Sequence, residues 1–339
     1  FQLNLPIVPV TDLAIIDNNL IVATQGRSLW IIDDLTVIHQ LNDAKKNMAS
    51  ILYKPKDSYR TSGSTQKEPS KTEGANHPNG VISHFYLKNV AEKDSIALTY
   101  LSMAGDTLAS FRRSSKDKDK KLKVEKGGNF HVWDTKGKGA EILKGMIFWA
   151  AGFDGPKAVP GDYKVKMSYN GNTSEEIFTV AKDPRLPNSD TDFKSQFDFL
   201  ISVRDQVSRA NNAITDIRTV KKDLEYLKEK SEDHKTLQTL IKDFETKMEV
   251  IENNIHMTKN QSSQDPLNFG IRINNRLAFL MADSQRGDYP PTDQSVEFFS
   301  EVTKELDTEI EDLNVLIKEY IGKINGQVSE NKIEMISLE

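Results

Sequence analysis

Residues 183–200, Asp-Pro-Arg-Leu-Pro-Asn-Ser-Asp-Thr-Asp-Phe-Lys-Ser-Gln-Phe-Asp-Phe-Leu, divide this chain into two kinds of structure. Pro184 and Pro187 fix φ and push their preceding residues toward extended backbone, so an extended segment ends here. Ser189 is a helix start signal. Beyond it, Phe193, Phe197, Leu200, Val207, Ala210, Ile214, Ile217, Leu224 and Leu227 fall three, four or seven apart, the spacing of one amphipathic helix. Glycine and proline change at the same place. Residues 1–188 hold 14 of the 18 Gly, 9 of the 12 Pro and all three Trp. Both residues punctuate turns and are excluded from helix interiors, so the first part reads as turn-rich β and the second as long helices. Segregated β then α points to separate domains rather than a βαβ sheet.

Downstream, Leu237, Leu240, Phe244, Met248, Ile251 and Ile255 mark a second helix, and Phe269 to Gln285 a third after Pro266. Pro290-Pro291 and a Thr292 cap precede a fourth, carried by Val296, Phe299, Val302, Leu306, Ile310, Leu313, Ile317 and Ile324. The expectation is a C-terminal antiparallel four-helix bundle over 188–326, with a fraying tail at 327–339.

Upstream, residues 80–183 hold about seven short strands: Val81 to Leu87, Asp94 to Leu101, Thr107 to Arg112, Phe130 to Trp133, Met146 to Ala150, Tyr163 to Tyr169 and Thr173 to Val180. Met103 to Asp106 and Asn170-Gly171 supply turns between them. That density fits an immunoglobulin-like or fibronectin-like β-sandwich. Residues 54–79 offer only Tyr59 as a large apolar side chain, so 43–79 reads as a linker or strap. Residues 1–42 read as a three-strand meander with turns at Asn18-Asn19 and Gly26-Arg27-Ser28, too small to be stable alone. The opening residues read as the middle of a β structure and carry no signal peptide pattern, so the natural protein is expected to start earlier.

Composition limits the function classes. The 339 residues suit two or three domains. No apolar run reaches the ~18–20 residues of a membrane helix. With no cysteine, disulfides, thiolate metal sites and Cys nucleophiles are excluded. The net charge of −5 lacks the basic excess expected of a nucleic-acid-binding protein.

Each chemical candidate has a structural competitor. Asp33-Asp34 is a carboxylate pair of the kind glycoside hydrolysis uses, but adjacent strand residues face opposite ways, and ending a strand is the simpler role. His39, His77, His84, His131, His234 and His256 show no zinc spacing. The run 112–126 holds 8 Lys+Arg against 3 Asp+Glu, a local +5, but its interleaved acids and missing aromatic platform read as a solvated hairpin loop. Gly127-Gly128, Gly137 and Gly139 lack the Lys-Ser/Thr of a phosphate loop. Trp133 and Trp149 would serve as a sugar platform or, more simply, fill the sandwich core. No catalytic, cofactor-binding or metal-ligating residue is assigned.

Leu5 to Leu41, with Pro9 to Leu13, Ala23 to Ser28 and Asp33-Asp34 as landmarks, resembles the final blade of the bacterial Asp-box (BNR-repeat, sortilin-like) β-propeller proteins often labelled glycosyl hydrolases. His77 to Leu87 is similar to that family's entry to an immunoglobulin-like domain. Phe130 to Asp134, Pro160 to Tyr163 and Asp183 to Arg185 match later landmarks, and Leu267 to Phe299 its terminal helical segment. The resemblance is collinear over essentially the whole chain. It departs at the front, where about one blade remains and the Asp-box repeats are absent, so the hydrolase label attaches to no residue here. It implies a non-catalytic accessory region, for scaffolding or interaction, in a secreted or periplasmic propeller protein. The implied partners are upstream propeller blades, with glycan or protein bound through the parent. Two alternatives stand beside it: a glycoside hydrolase whose active site lies in the missing propeller, and a helical adaptor binding a protein partner.

Overall fold

The computed structural model of the chain describes residues 4–42, 45, 47–61 and 78–333. They form a mixed β and α architecture, with 11 strands in three sheets and six helices among the described residues. None of those helices is long and apolar enough to cross a membrane. The chain divides into two compact units, 1–136 with 157–187 and 137–156 with 188–339.

The first unit begins with the small sheet β1 (Val10–Ile16), β2 (Asn19–Thr24) and β3 (Leu29–Ile32), followed by the single turn α1 (Thr36–His39). The other two sheets share one apolar core. One has the order β4 (Ser50–Leu52), β6 (Val81–Leu87), β9 (Gly127–Trp133). The other runs β5 (Ser58–Arg60), β11 (Asn172–Lys182), β10 (Gly161–Tyr169), β7 (Ile96–Ser102), β8 (Thr107–Arg112). Period-two alternation builds the core: Val81, Phe85 and Leu87 from one sheet meet Ile96, Leu98, Tyr100, Val165 and Met167 from the other. Trp133 is fully buried and stacks on Tyr100 with centroids 4.5 Å apart. Two polar groups turned into this core satisfy each other, the Tyr100 hydroxyl donating to Ser83 Oγ at 2.9 Å.

The structure departs from the sequence reading at two places in this region. The segment read as a linker over 43–79 contributes two strands, β4 pairing with β6 and β5 lying parallel to β11. Arg60 is buried there, its Nε donating to Ala158 O at 3.0 Å. Three-residue strands need only a free sheet edge, so they carry no hydrophobic pattern to read. Most of the remaining strap, 62–77, lies outside the described residues. The strand expected at Met146–Ala150 does not form, and residues 137–156 group with the helices instead of the 80–183 strands.

The second unit holds α2 (Asp190–Lys230), α3 (Lys235–Ile255), α4 (Pro266–Phe269), α5 (Ile273–Ser284) and α6 (Asp293–Glu330). Ser189 caps α2 in a reciprocal capping box with Asp192. The stripe residues Leu200, Val207, Ile214, Ile217, Phe244, Met248, Leu306 and Leu313 join one core. The third helix, expected from Phe269 to Gln285, begins only at Ile273 because Gly270, at φ 74, ends the short turn α4 in a backbone region L-residues avoid. The helix expected to end at 326 continues through Glu330, while 334–339 lie outside the described residues. The 137–156 segment runs along α5. Gly152 N donates to Ala278 O at 2.9 Å, and a Cβ on Gly152 would sit 2.9 Å from the Cα of Ala282. Only glycine permits that approach.

In the first unit, burial pushes the His131 imidazole down to about 4, with Asp134 only partly opposing, and its buried Nε2 has no hydrogen-bond partner. A folded-state value below the ordinary 6.5 means the stability is present near neutrality and lost as pH falls from 6.5 to about 4. His131→Phe keeps the packing on Phe111 and removes the titration. Thermal melts at pH 7 and pH 4.5 are expected to show the wild type losing on the order of 2 kcal/mol more than the variant.

Candidate interaction surface

The chain reverses between β1 and β2 at Asp17 and Asn18, with φ 49 and 68. Two successive positive φ values are the signature of a type I′ hairpin turn, which Asp and Asn tolerate. The turn sits one residue earlier than the Asn18-Asn19 pair the sequence suggests. Its register sets the faces. Leu13 opposes Val22 and Val22 opposes Trp30, while Ile15 opposes Leu20 and Leu20 opposes Ile32. On the other face Ala14 opposes Ile21 and Ile21 opposes Ile31, with Ala23 beside Leu29. Both faces are therefore apolar.

A one-sided sheet alternates apolar with polar residues, and an apolar pattern on both faces belongs to a sheet covered on both. Among the described residues nothing covers most of either face. Leu13 is 60% exposed and Ile15 65% on one face, Leu29 65% and Ile31 58% on the other. Val22 alone is buried within the three strands. No described residue before Leu52 belongs to either apolar core. Covering a large apolar side chain stabilises by about 1.5–3 kcal/mol relative to full exposure, so these faces store a considerable association energy. Along the outer edge the Leu13 amide donates to its neighbour Asp12 Oδ1 at 2.9 Å. That occupies one backbone donor of β1 and leaves the faces as the larger contact surface.

The sequence candidates fall elsewhere or into structural roles. Asp33 is exposed, whereas Asp34 at φ 63 accepts from Asn18 Nδ2 at 2.9 Å and from the Thr36 amide at 3.0 Å, holding the turn into α1. Asp34 also borders a cavity of about 260 Å³ with Lys56, Asp57 and Tyr59. The second carboxylate of that cavity, Asp57, accepts from the Thr179 amide at 3.0 Å. His77 lies outside the described residues. His84 is half-buried, and burial lowers its titration while Asp34 opposes. His39 is exposed, His234 stands at the N-cap position of α3 without a side-chain capping bond, and His256 is buried among helices. Among the described residues no three of His, Asp or Glu converge as metal ligands would.

The basic run is not a free loop. Leu122 is buried in the two-sheet core and its amide donates to Arg112 O at 3.0 Å, while Lys120 pairs with Asp117 at 3.7 Å. Trp133 is core, but Trp149 is 36% exposed, its backbone bracketed by Asn275, which accepts from Trp149 N at 2.7 Å and donates to Trp149 O at 2.8 Å. Phe193 and Phe244 are buried, and Phe299 packs edge-on against Phe199. The exposed sheet was missed as a site because a continuous apolar run reads the same whether or not a cover is present.

No protein family, no curated protein and no solved structure matches the chain.

The double substitution Ile15→Lys with Ile31→Lys alters one residue on each face and touches neither core. The main melting transition is expected to stay within about 0.5 kcal/mol of wild type. Binding of the apolar dye ANS and self-association by light scattering should both fall.

Proposed function

We propose that this chain is a non-catalytic accessory region whose three-stranded sheet packs between other β-sheets, as a blade does in a β-propeller, with the remaining strands and the helices as scaffold. The observation that carries the reading is the apolar character of both faces of β1–β3 combined with their exposure. A propeller blade is covered on each face by a neighbouring blade, which is the environment this sheet lacks. The larger β4–β11 portion is read as an immunoglobulin-like sandwich and the helices as a bundle, both supporting modules. The neighbouring blades come from the same polypeptide or from another chain. The resemblance to the Asp-box propeller proteins is consistent with this role and with a secreted or periplasmic setting, in which any glycan would be bound by the neighbouring blades.

Two measurements test the reading. Removal of residues 1–40 takes away the uncovered sheet and no member of either core, so the remaining chain is expected to melt cooperatively at an unchanged temperature and to be more soluble. Collapse of that transition would show that the sheet is part of this fold rather than a docking element. The complete chain is also expected to show no turnover of aryl glycosides. Turnover abolished by Asp34→Asn would replace the accessory role with an enzymatic one centred on the Asp34–Asp57 cavity.

A further inference from the structure

Within the helical unit, four polar groups from four segments meet in a buried line. His256 follows the last residue of α3, Asn274 opens α5 and Asn211 lies midway along α2; all three are almost inaccessible to solvent. Asn274 Nδ2 lies 3.1 Å from His256 Nδ1 and 3.1 Å from Asn211 Oδ1. Asn211 Nδ2 donates in turn to the backbone carbonyl of Glu141 at 2.7 Å, in the 137–156 segment. An amide nitrogen only donates, so His256 Nδ1 must accept, and the ring proton sits on Nε2. The other end of the Asn274 amide, Oδ1, is buried with no hydrogen-bond partner. The bonds in this line therefore diverge from Asn274, toward the neutral imidazole on one side and through Asn211 toward the Glu141 carbonyl on the other.

We propose that this line is an acid-sensitive latch: protonation of His256 reverses the two amides in sequence and releases the 137–156 segment at Glu141. A protonated imidazole is a donor at both nitrogens. Asn274 answers by turning its unpartnered Oδ1 toward His256 Nδ1–H, which also sets that oxygen against Asn211 Oδ1. Asn211 then turns to offer its own Nδ2, and its oxygen comes to face the Glu141 carbonyl. Two acceptors cannot bond, so the Asn211 contact to the Glu141 carbonyl is lost and the segment is held there more weakly, by Ser208 Oγ on the Glu141 amide among others. The rest of the segment keeps its anchors on α5, at Asn275 with Trp149 and at Ala278 with Gly152, and the release is confined to residues 138–143.

The surroundings set the direction. Burial is the main cause that lowers the His256 titration, with Arg218 of α2 adding to it; the hydrogen bond with Asn274, which favours the protonated ring, and more weakly Glu252 of α3 oppose it. Glu252 is itself paired with Arg218 at 3.0 Å and Lys221 at 2.7 Å. The segment presents the Phe148 ring to His256, with centroids 5.9 Å apart, and α5 presents Asn274; neither is charged. The latch is closed at neutral pH and opens as pH falls below the ordinary 6.5.

The test is hydrogen exchange on the whole chain between pH 7.5 and 5, corrected for intrinsic exchange, alongside an NMR titration of the His256 ring. The amides of Ala140 and Glu141, which donate to Phe153 O and Ser208 Oγ, report on the segment. Their exchange should accelerate by about tenfold, the equivalent of one hydrogen bond, with the midpoint of the His256 titration. His256→Asn keeps an acceptor near the Nδ1 position and cannot take up a proton, so protection should become independent of pH. Asn274→Leu should uncouple the two, leaving His256 to titrate while the segment no longer follows. Protection that stays constant while His256 titrates in the wild type overturns the latch, whatever the variants do. So does equal acceleration in His256→Asn.

Discussion

Apolar surface must be covered, and that constraint is met twice in this chain and left open once. The β4–β6–β9 sheet and the five-stranded sheet cover each other around Phe85, Trp133, Tyr100 and Val165. The helices cover each other around Ile214, Phe244, Met248 and Leu306. The β1–β3 sheet has apolar residues on both faces and, among the described residues, no layer on either apart from the shelter that buries Val22. Three strands are too few to bury two faces by curling on themselves. The two satisfied cores explain why the chain folds, and the open sheet is the surface on which the proposed role rests.

Buried polar groups supply the second layer of organisation. In the helical unit Gln196 donates to Ser284 O at 2.9 Å, Glu252 binds two cations, and Asn211 and Asn274 bond to each other and to their neighbours. Such groups add little net stability but penalise alternative packings that would leave them unpaired. They also fix where the 137–156 segment lies. That segment is apolar enough to pack almost anywhere, and its position is decided by Asn211, Asn275 and the space Gly152 leaves against Ala282.

Much of the fold was legible because regular periods leave a record. The stripe from Leu200 to Leu227 reads as a helix at any point along it, and the alternation in Tyr163, Val165 and Met167 reads as a strand. What was not legible depended on contacts distant in sequence. β5 exists because β11 offers a parallel edge more than 100 residues away. The run Met146 to Ala150 has strand composition, yet Asn275, 126 residues from Trp149, holds it as irregular backbone. Gly270 inside a helical pattern was a visible breaker, and its positive φ splits α4 from α5. The polar line through His256 carried a faint signal, two asparagines at the start of an apolar helix, whereas the exposure of β1–β3 carried none.

The central claim is that both faces of β1–β3 are contact surfaces for other β-sheets. It is tested most directly by photo-cross-linking in the cells that produce the protein, with a photoreactive residue at Ile15 on one face and, separately, at Ile31 on the other. The account predicts that each position captures a β-sheet segment, with different peptides on the two faces. Capture of this chain's own helices from either position, or a sheet that labels only water on both faces, would contradict it.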